Sequence, residues 1–198
     1  MRKILSREVR EKKDKRNKTI LGVILVIIMV FSTIGYAFYS SDKEGEGGLE
    51  VITYRSIDFI PTEYGKYRFQ IGENTYETYY HPEQTSNITG ILTKTLEMYK
   101  NKPLYFGVDS REEINQQGSQ EIVYNIGRFL ERQGFSCLTE DCEEDYALKS
   151  CVDSNIIIFK QSNLTRITED IRCVYIEYKE GEVERASDAL LFRLLGLQ

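Results

Sequence analysis

Twenty consecutive residues, 20–39, carry no formal charge: ILGVILVIIMVFSTIGYAFY. As an α-helix rising ~1.5 Å per residue this run spans ~30 Å, the depth of a bilayer's hydrocarbon core. A lone segment in lipid has to satisfy its own main-chain hydrogen bonds, and only a helix does so. Ile, Leu and Val dominate residues 20–30, while Tyr36 and Tyr39 fall where an aromatic belt meets the headgroups. The segment is therefore expected to be an uncleaved transmembrane anchor. The competing reading is a cleaved signal peptide with an apolar core at 21–31 and small residues at Gly35-Tyr36-Ala37. A long charged head and an apolar run that continues to Tyr39 favour the anchor. Either reading sends residues 40–198 across a membrane.

Charge divides the same way. Residues 1–19 hold nine Lys/Arg against three Asp/Glu, and residues 40–198 hold 17 against 28, so the head is +6 and the remainder −11. By the positive-inside rule, 1–19 is expected to be a basic cytoplasmic tail that attracts anionic lipid, with the C-terminal part outside. A nucleic-acid role is not expected, because the tail is short, contains Glu8, Glu11 and Asp14, and abuts the apolar run. The polar, glycine-rich stretch 40–49 is expected to be a flexible linker to one domain at 50–198.

All four cysteines, Cys137, Cys142, Cys151 and Cys173, lie beyond the apolar run. An even count confined to the outer part suggests two structural disulfides. The spacing C-x4-C-x8-C-x21-C lacks the tight knuckles of a zinc ribbon and the C-x-x-C of a redox site. Three pairings are open; a local Cys142–Cys151 bond with a longer Cys137–Cys173 bond is the favoured one. Asn87-Ile88-Thr89 and Asn163-Leu164-Thr165 are glycosylation sequons compatible with surface loops.

Within 50–198 the hydrophobic period changes along the chain. Residues 51–60, 67–71 and 75–80 read as strands of a hairpin or meander, with Tyr67, Phe69 and Ile71 alternating against Arg68 and Gln70. Ile88, Leu92, Leu96 and Tyr99 make a helical face, stopped by Asn101 and Pro103. A buried strand is expected at 103–108. A helix should then be opened by a capping box at Ser110–Glu113 and run to about Arg132. Residues 135–153 read as a stapled loop with at most one short strand. Strands follow at 155–159 and 171–178, with 165–170 connecting them, and a helix at 182–195 ends at Gly196. The order βββ-α-β-α-β-β-α implies an α/β or α+β domain with a mixed sheet.

The chemistry-bearing motifs are few. No P-loop, G-x-G-x-x-G helix opening, G-x-S-x-G or H-E-x-x-H is present. The single histidine, His81, sits at a strand end and reads as a surface or turn residue rather than a catalytic base. The acidic run Glu140 to Asp145 lacks the alternation of a calcium loop and reads as a solvated loop. Tyr67, Tyr76, Tyr79 and Tyr80 could present an aromatic face to a peptide or glycan, although sheet packing alone also favours tyrosines there. No catalytic, cofactor or metal residue is assigned.

The basic head, the single span, KYRFQIGENTYETYYHPEQTSNI, the cysteine block before NIIIFK and the ending RCVYIEYKEGEVERASDALLFRLLGLQ together resemble a group of small uncharacterised archaeal membrane-anchored proteins. The likeness covers most of 50–198 and brings no assigned activity or functional residues. The expected function is a binding or scaffold domain displayed at the cell membrane, engaging an envelope protein or a glycan. An extracytoplasmic metal-assisted hydrolase and a thiol-disulfide exchange protein are the alternatives.

Overall fold

Strand-period residues dominate the chain beyond residue 50, and they build two sheets instead of one. A computed structural model describes residues 20–24, 29, 50–108, 115–142 and 145–198. The chain separates into two units, Met1–Gly48 and Leu49–Gln198. In the first, residues 20–24 and 29 are helical and exposed. Among the described residues no helix is long and apolar enough to cross a membrane. The rest of the expected span, the 1–19 tail and the 40–49 linker lie outside the described residues.

The second unit is a mixed α+β domain with two sheets and two disulfides. Its first sheet is antiparallel, in the order β1 (Ile52–Tyr54), β2 (Ile57–Pro61), β3 (Tyr67–Ile71) and β4 (Asn74–Thr78). Period-two alternation buries Phe59, Phe69 and Tyr76 on one face. The stretch expected as one strand at 51–60 is two. It folds at Arg55 and Ser56, whose φ values of +47° and +64° suit the twist of a two-residue hairpin. Neither residue announces that turn, since Asn and Gly are its usual occupants.

The second sheet has the order β6-β5-β7-β9-β8, with β5 at Pro103–Val108, β6 at Arg132–Cys137, β7 at Asn155–Gln161, β8 at Arg166–Asp170 and β9 at Cys173–Tyr178. All pairs are parallel except β8 with β9. Three α-helices complete the unit: α1 (Pro82–Thr85), α2 (Gln116–Ile126) and α3 (Val183–Leu194). The order is thus ββββ-α-β-α-β-β-β-β-α.

Three expectations are corrected. Residues 88–99 form no long helix; only Leu96–Met98 makes a 3-10 turn. Gly90 takes φ +121°, and Thr89 accepts a hydrogen bond from the Ile167 N–H at 3.0 Å, so the segment runs extended beside β8. Ile88, Leu96 and Tyr99 still reach the core. The helix expected to reach Arg132 ends at Ile126 and is followed by β6, an edge strand whose Arg132-Gln133-Gly134 start gives little strand signal. Its proposed capping box at Ser110–Glu113 lies outside the described residues, and Asn115 caps α2 by accepting the Gly118 N–H at 2.8 Å. Residues expected merely to connect two strands form β8 itself.

Helix α3 lies between the sheets. Ala186, Ala189, Leu190 and Leu194 pack with Leu104, Phe106, Ile157 and Ile176 of the second sheet, while Phe192 joins Phe59, Phe69 and Tyr76 of the first. Its end is a Schellman cap: Gly196, at φ +74°, donates to Arg193, and Leu197 donates to Phe192 at 2.8 Å. Leu197 and Phe192 share one apolar cluster, which anchors the C-terminus under the first sheet.

The disulfides join Cys137 to Cys142 and Cys151 to Cys173, which overturns the favoured pairing. Strand order explains the outcome. Cys173 opens β9 opposite Ile156, and the Arg172 N–H donates to the Cys151 carbonyl at 3.2 Å, drawing residue 151 alongside. Cys137 ends β6, and the chain turns back at once to bring Cys142 to a Cα separation of 5.8 Å. The cysteine-bearing segment covers the sheet face opposite the helices, where Leu138 and Cys151 pack on Ile156, Ile158 and Tyr175.

Candidate functional site

The densest group of buried ionisable side chains lies where β3, β4, α2 and α3 meet. Lys66, just before β3, places Nζ 2.9 Å from Glu121 Oε2 on α2. One helical turn on, Asn125 spans the main chain of β4, accepting the Glu77 N–H at 2.9 Å and donating to the Glu77 carbonyl at 2.8 Å. Arg128 extends this cover by donating to the Thr75 carbonyl at 2.8 Å. Asn125 of α2 and Arg128 in the turn after it thus close the β4 edge with side chains where another strand would otherwise pair.

Asp188 approaches the same junction from α3. It is fully buried, its Oδ2 accepts the Tyr80 N–H at 2.9 Å, and its Oδ1 has no hydrogen-bond partner. Burial pushes the Asp188 carboxyl well above the usual range, and neighbouring Glu121 adds to the rise. Burial likewise raises Glu121, against the opposing pull of Lys66 and Asn125. For Lys66, burial acts to lower the pKa but the Glu121 carboxylate outweighs it, and the net shift is upward. The ammonium also lies 4.0 Å from the Tyr79 ring centroid and 5.3 Å from that of Tyr124. Chemically, the arrangement is a buried Lys66–Glu121 ion pair beside a second carboxyl, Asp188, whose ionisation burial opposes. Asp188 itself is closed to solvent.

Two carboxylates distant in sequence do converge here, a feature the hydrolase alternative requires. However, among the described residues no group of three or more His, Cys, Asp or Glu side chains could hold a metal ion. Sequence reading missed Lys66, Glu121, Asn125 and Asp188. The one available signal was Asp188 itself, a charge set among the apolar positions of an amphipathic helix.

His81 is not the surface residue expected: it is 3% exposed and caps α1, with Nδ1 accepting the Glu83 N–H at 3.4 Å. The Gln84 side chain returns to accept the His81 N–H at 2.7 Å, completing a capping box. The imidazole meets Phe59, Tyr54 and Tyr67 edge-on, and Nε2 is buried without a partner. Burial lowers its pKa, with Glu83 acting in the opposite sense.

The four tyrosines considered as a binding face are dispersed. Tyr76 is 4% exposed and stacks on Phe69; Tyr67 is half-buried against His81; Tyr79 is exposed under Lys66; Tyr80 is half-buried. Both sequon asparagines are exposed: Asn163 between β7 and β8, and Asn87 with its side-chain oxygen accepting from Arg185. No protein-family model matches the chain, and neither a curated protein nor a solved structure does.

Proposed function

We propose that the chain is a single-pass membrane-anchored protein whose residues 50–198 form a binding or scaffold domain outside the cytoplasm, engaging another envelope component. The supporting observation is cysteine use: all four thiols are consumed in two bonds within the domain, and none is free. Such bonds persist in oxidising compartments and are rare where cellular reductants keep thiols reduced. The uncharged run at 20–39 and the basic head before it argue for the same arrangement.

The buried junction fits this reading better than the hydrolase alternative. Lys66 and Asn125 already engage Glu121, and Asp188 is closed to solvent, so the polar groups fasten the first sheet to α2 and α3. Thiol-disulfide exchange has less support: no cysteine is free, no C-x-x-C is present, and each bond has one buried sulfur, Cys173 or Cys137, beside a half-buried one, Cys151 or Cys142. Crosslinking in native membranes tests the proposal. The expected result is a reproducible adduct with a second envelope component; recovery of the uncrosslinked chain alone contradicts it.

A further inference from the structure

The domain holds two glycosylation sequons, and the fold treats them differently. Asn163 lies in the loop between β7 and β8 and is exposed, as is Leu164 after it at 63%. Among the described residues nothing hydrogen-bonds the Asn163 side chain. The loop is tied to the rest of the domain at its two ends. There the Ser162 N–H donates to the Tyr178 carbonyl at 2.8 Å, while Thr165 Oγ1 accepts the Lys179 N–H at 3.2 Å and donates to Glu182.

Asn87 is fastened instead. Its Oδ1 accepts from Arg185 of α3, whose guanidinium also donates to the Gln84 carbonyl at 3.0 Å. Arg193, on the same helix, donates to the carbonyls of Ile88 and Gly90. Thr89 is bonded to Ile167 of β8, and Ile88 is 4% exposed and part of the core. That sequon is built into the seam between α1, α3 and β8.

Beside Asn163 the surface dips into an open, polar hollow of about 730 Å³, lined also by Gln161, Ser162, Lys179 and Glu180. Sites that hold small ligands run to ~300–1,000 Å³. The amide, hydroxyl, ammonium and carboxylate around this one supply both donors and acceptors for sugar hydroxyls.

We propose that Asn163 carries an N-linked saccharide whose first sugar lies at this hollow, and that Asn87 stays unmodified. The inference rests on the reading that places residues 50–198 outside the cytoplasm, since such sequons are used in exported surface loops. The donor is a saccharide joined through phosphate to a membrane lipid. Asn163 Nδ2 forms a bond to the anomeric carbon and gives up one proton to solvent. The bond from that carbon to the phosphate oxygen breaks, and the lipid phosphate leaves with the electron pair. Thr165 belongs to the recognised triplet, so transfer onto the folded domain asks it to leave Glu182 and Lys179, a local opening of one loop. Presenting Asn87 would break its contacts to Arg185, Arg193 and Ile167 together, an opening of higher free energy.

The test is peptide mapping by mass spectrometry of the full-length protein purified from its native membranes. Peptides containing Asn163 should carry saccharide mass, and those containing Asn87 none. Asn163→Gln and Leu164→Pro each destroy the triplet by a different residue, and both should lose the modification completely. Thr165→Ser should retain it, and Asn87→Gln should leave it unchanged. Asn163→Gln removes no hydrogen bond within the domain, so both disulfides should persist in that variant. A bare Asn163, a saccharide on Asn87, or a modification that survives Asn163→Gln overturns the proposal. Labelling of Ser41→Cys with a membrane-impermeant maleimide separates this inference from the reading beneath it. A bare Asn163 on a chain labelled in intact cells removes this inference alone; a bare Asn163 on a chain labelled only after lysis removes both.

Discussion

Asp188 Oδ2 accepts the main-chain N–H of Tyr80 across 2.9 Å, fastening the exit of β4 to the middle of α3. The contact bridges 108 residues of sequence, and one of its partners is a carboxyl raised well above its usual pKa by burial.

That raised pKa fixes a sign. The folded state keeps a proton that the unfolded carboxyl, near 3.8, gives up, so the group's contribution is full at low pH and is lost as pH climbs toward the folded value. Asp188→Asn keeps the acceptor for Tyr80 and cannot ionise. Denaturant melts should therefore give it stability equal to or above the parent's at neutral pH, with less decline between pH 4 and 7. Asp188→Ala leaves the Tyr80 N–H unpaired and should lose about 1–3 kcal/mol. A larger loss for Asn than for Ala would contradict this account.

His81 works in the opposite direction. Burial holds its folded pKa below 6.5, so the unfolded chain binds a proton first and stability falls as pH drops below 6.5. His81→Asn retains an acceptor at the helix start and removes the titration. The Tm difference between pH 7.5 and 5.5 should shrink in the variant; an unchanged difference would show that other groups set the acid response.

Backbone geometry gives two substitutions of opposite effect. A Cβ on Gly90 would lie 1.7 Å from the Ile167 carbonyl oxygen, at a φ that disfavours side chains, so Gly90→Ala should lose at least about 3 kcal/mol in a urea melt. Ile171 is a β-branched residue at φ +48° and is 64% exposed, so its strain is offset by little packing. Ile171→Asn should gain roughly 1 kcal/mol.

The two disulfides should differ in worth. Cys151–Cys173 closes a separation of 22 residues and Cys137–Cys142 one of 5. Loop-closure entropy assigns about 3 kcal/mol to the first and about 2 kcal/mol to the second. Paired Cys→Ser variants compared by denaturant melts check the order, and peptide mapping without reductant checks the pairing.

Much of the fold was legible wherever one local signal agreed with its tertiary setting. Residues 155–159 read as a core strand and became the middle strand of the second sheet; Gly196 read as a helix end and forms the Schellman turn. The sequence misled where long-range contacts outweighed local pattern. Ile88, Leu92, Leu96 and Tyr99 fall at helical spacing, yet a bridge from Thr89 to β8 holds the start of their segment out of a helix and only Leu96–Met98 makes a 3-10 turn. Strand β6 was hidden because one edge needs no buried apolar face along its first residues. Disulfide pairing depends on which strands neighbour each other, which cysteine spacing does not encode. The Lys66–Glu121–Asp188 junction was illegible for the same reason: its members sit on three elements that only the packing of α3 between two sheets brings together.

Membrane topology is the premise beneath the proposed function, and cysteine labelling of intact cells reads it directly. Ser41→Cys places a thiol just after the apolar run, and Ser6→Cys places one in the basic head. A membrane-impermeant maleimide should label the first in unbroken cells and the second only after lysis. Labelling of Ser6→Cys alone, or of neither until the cells are opened, would contradict an external domain.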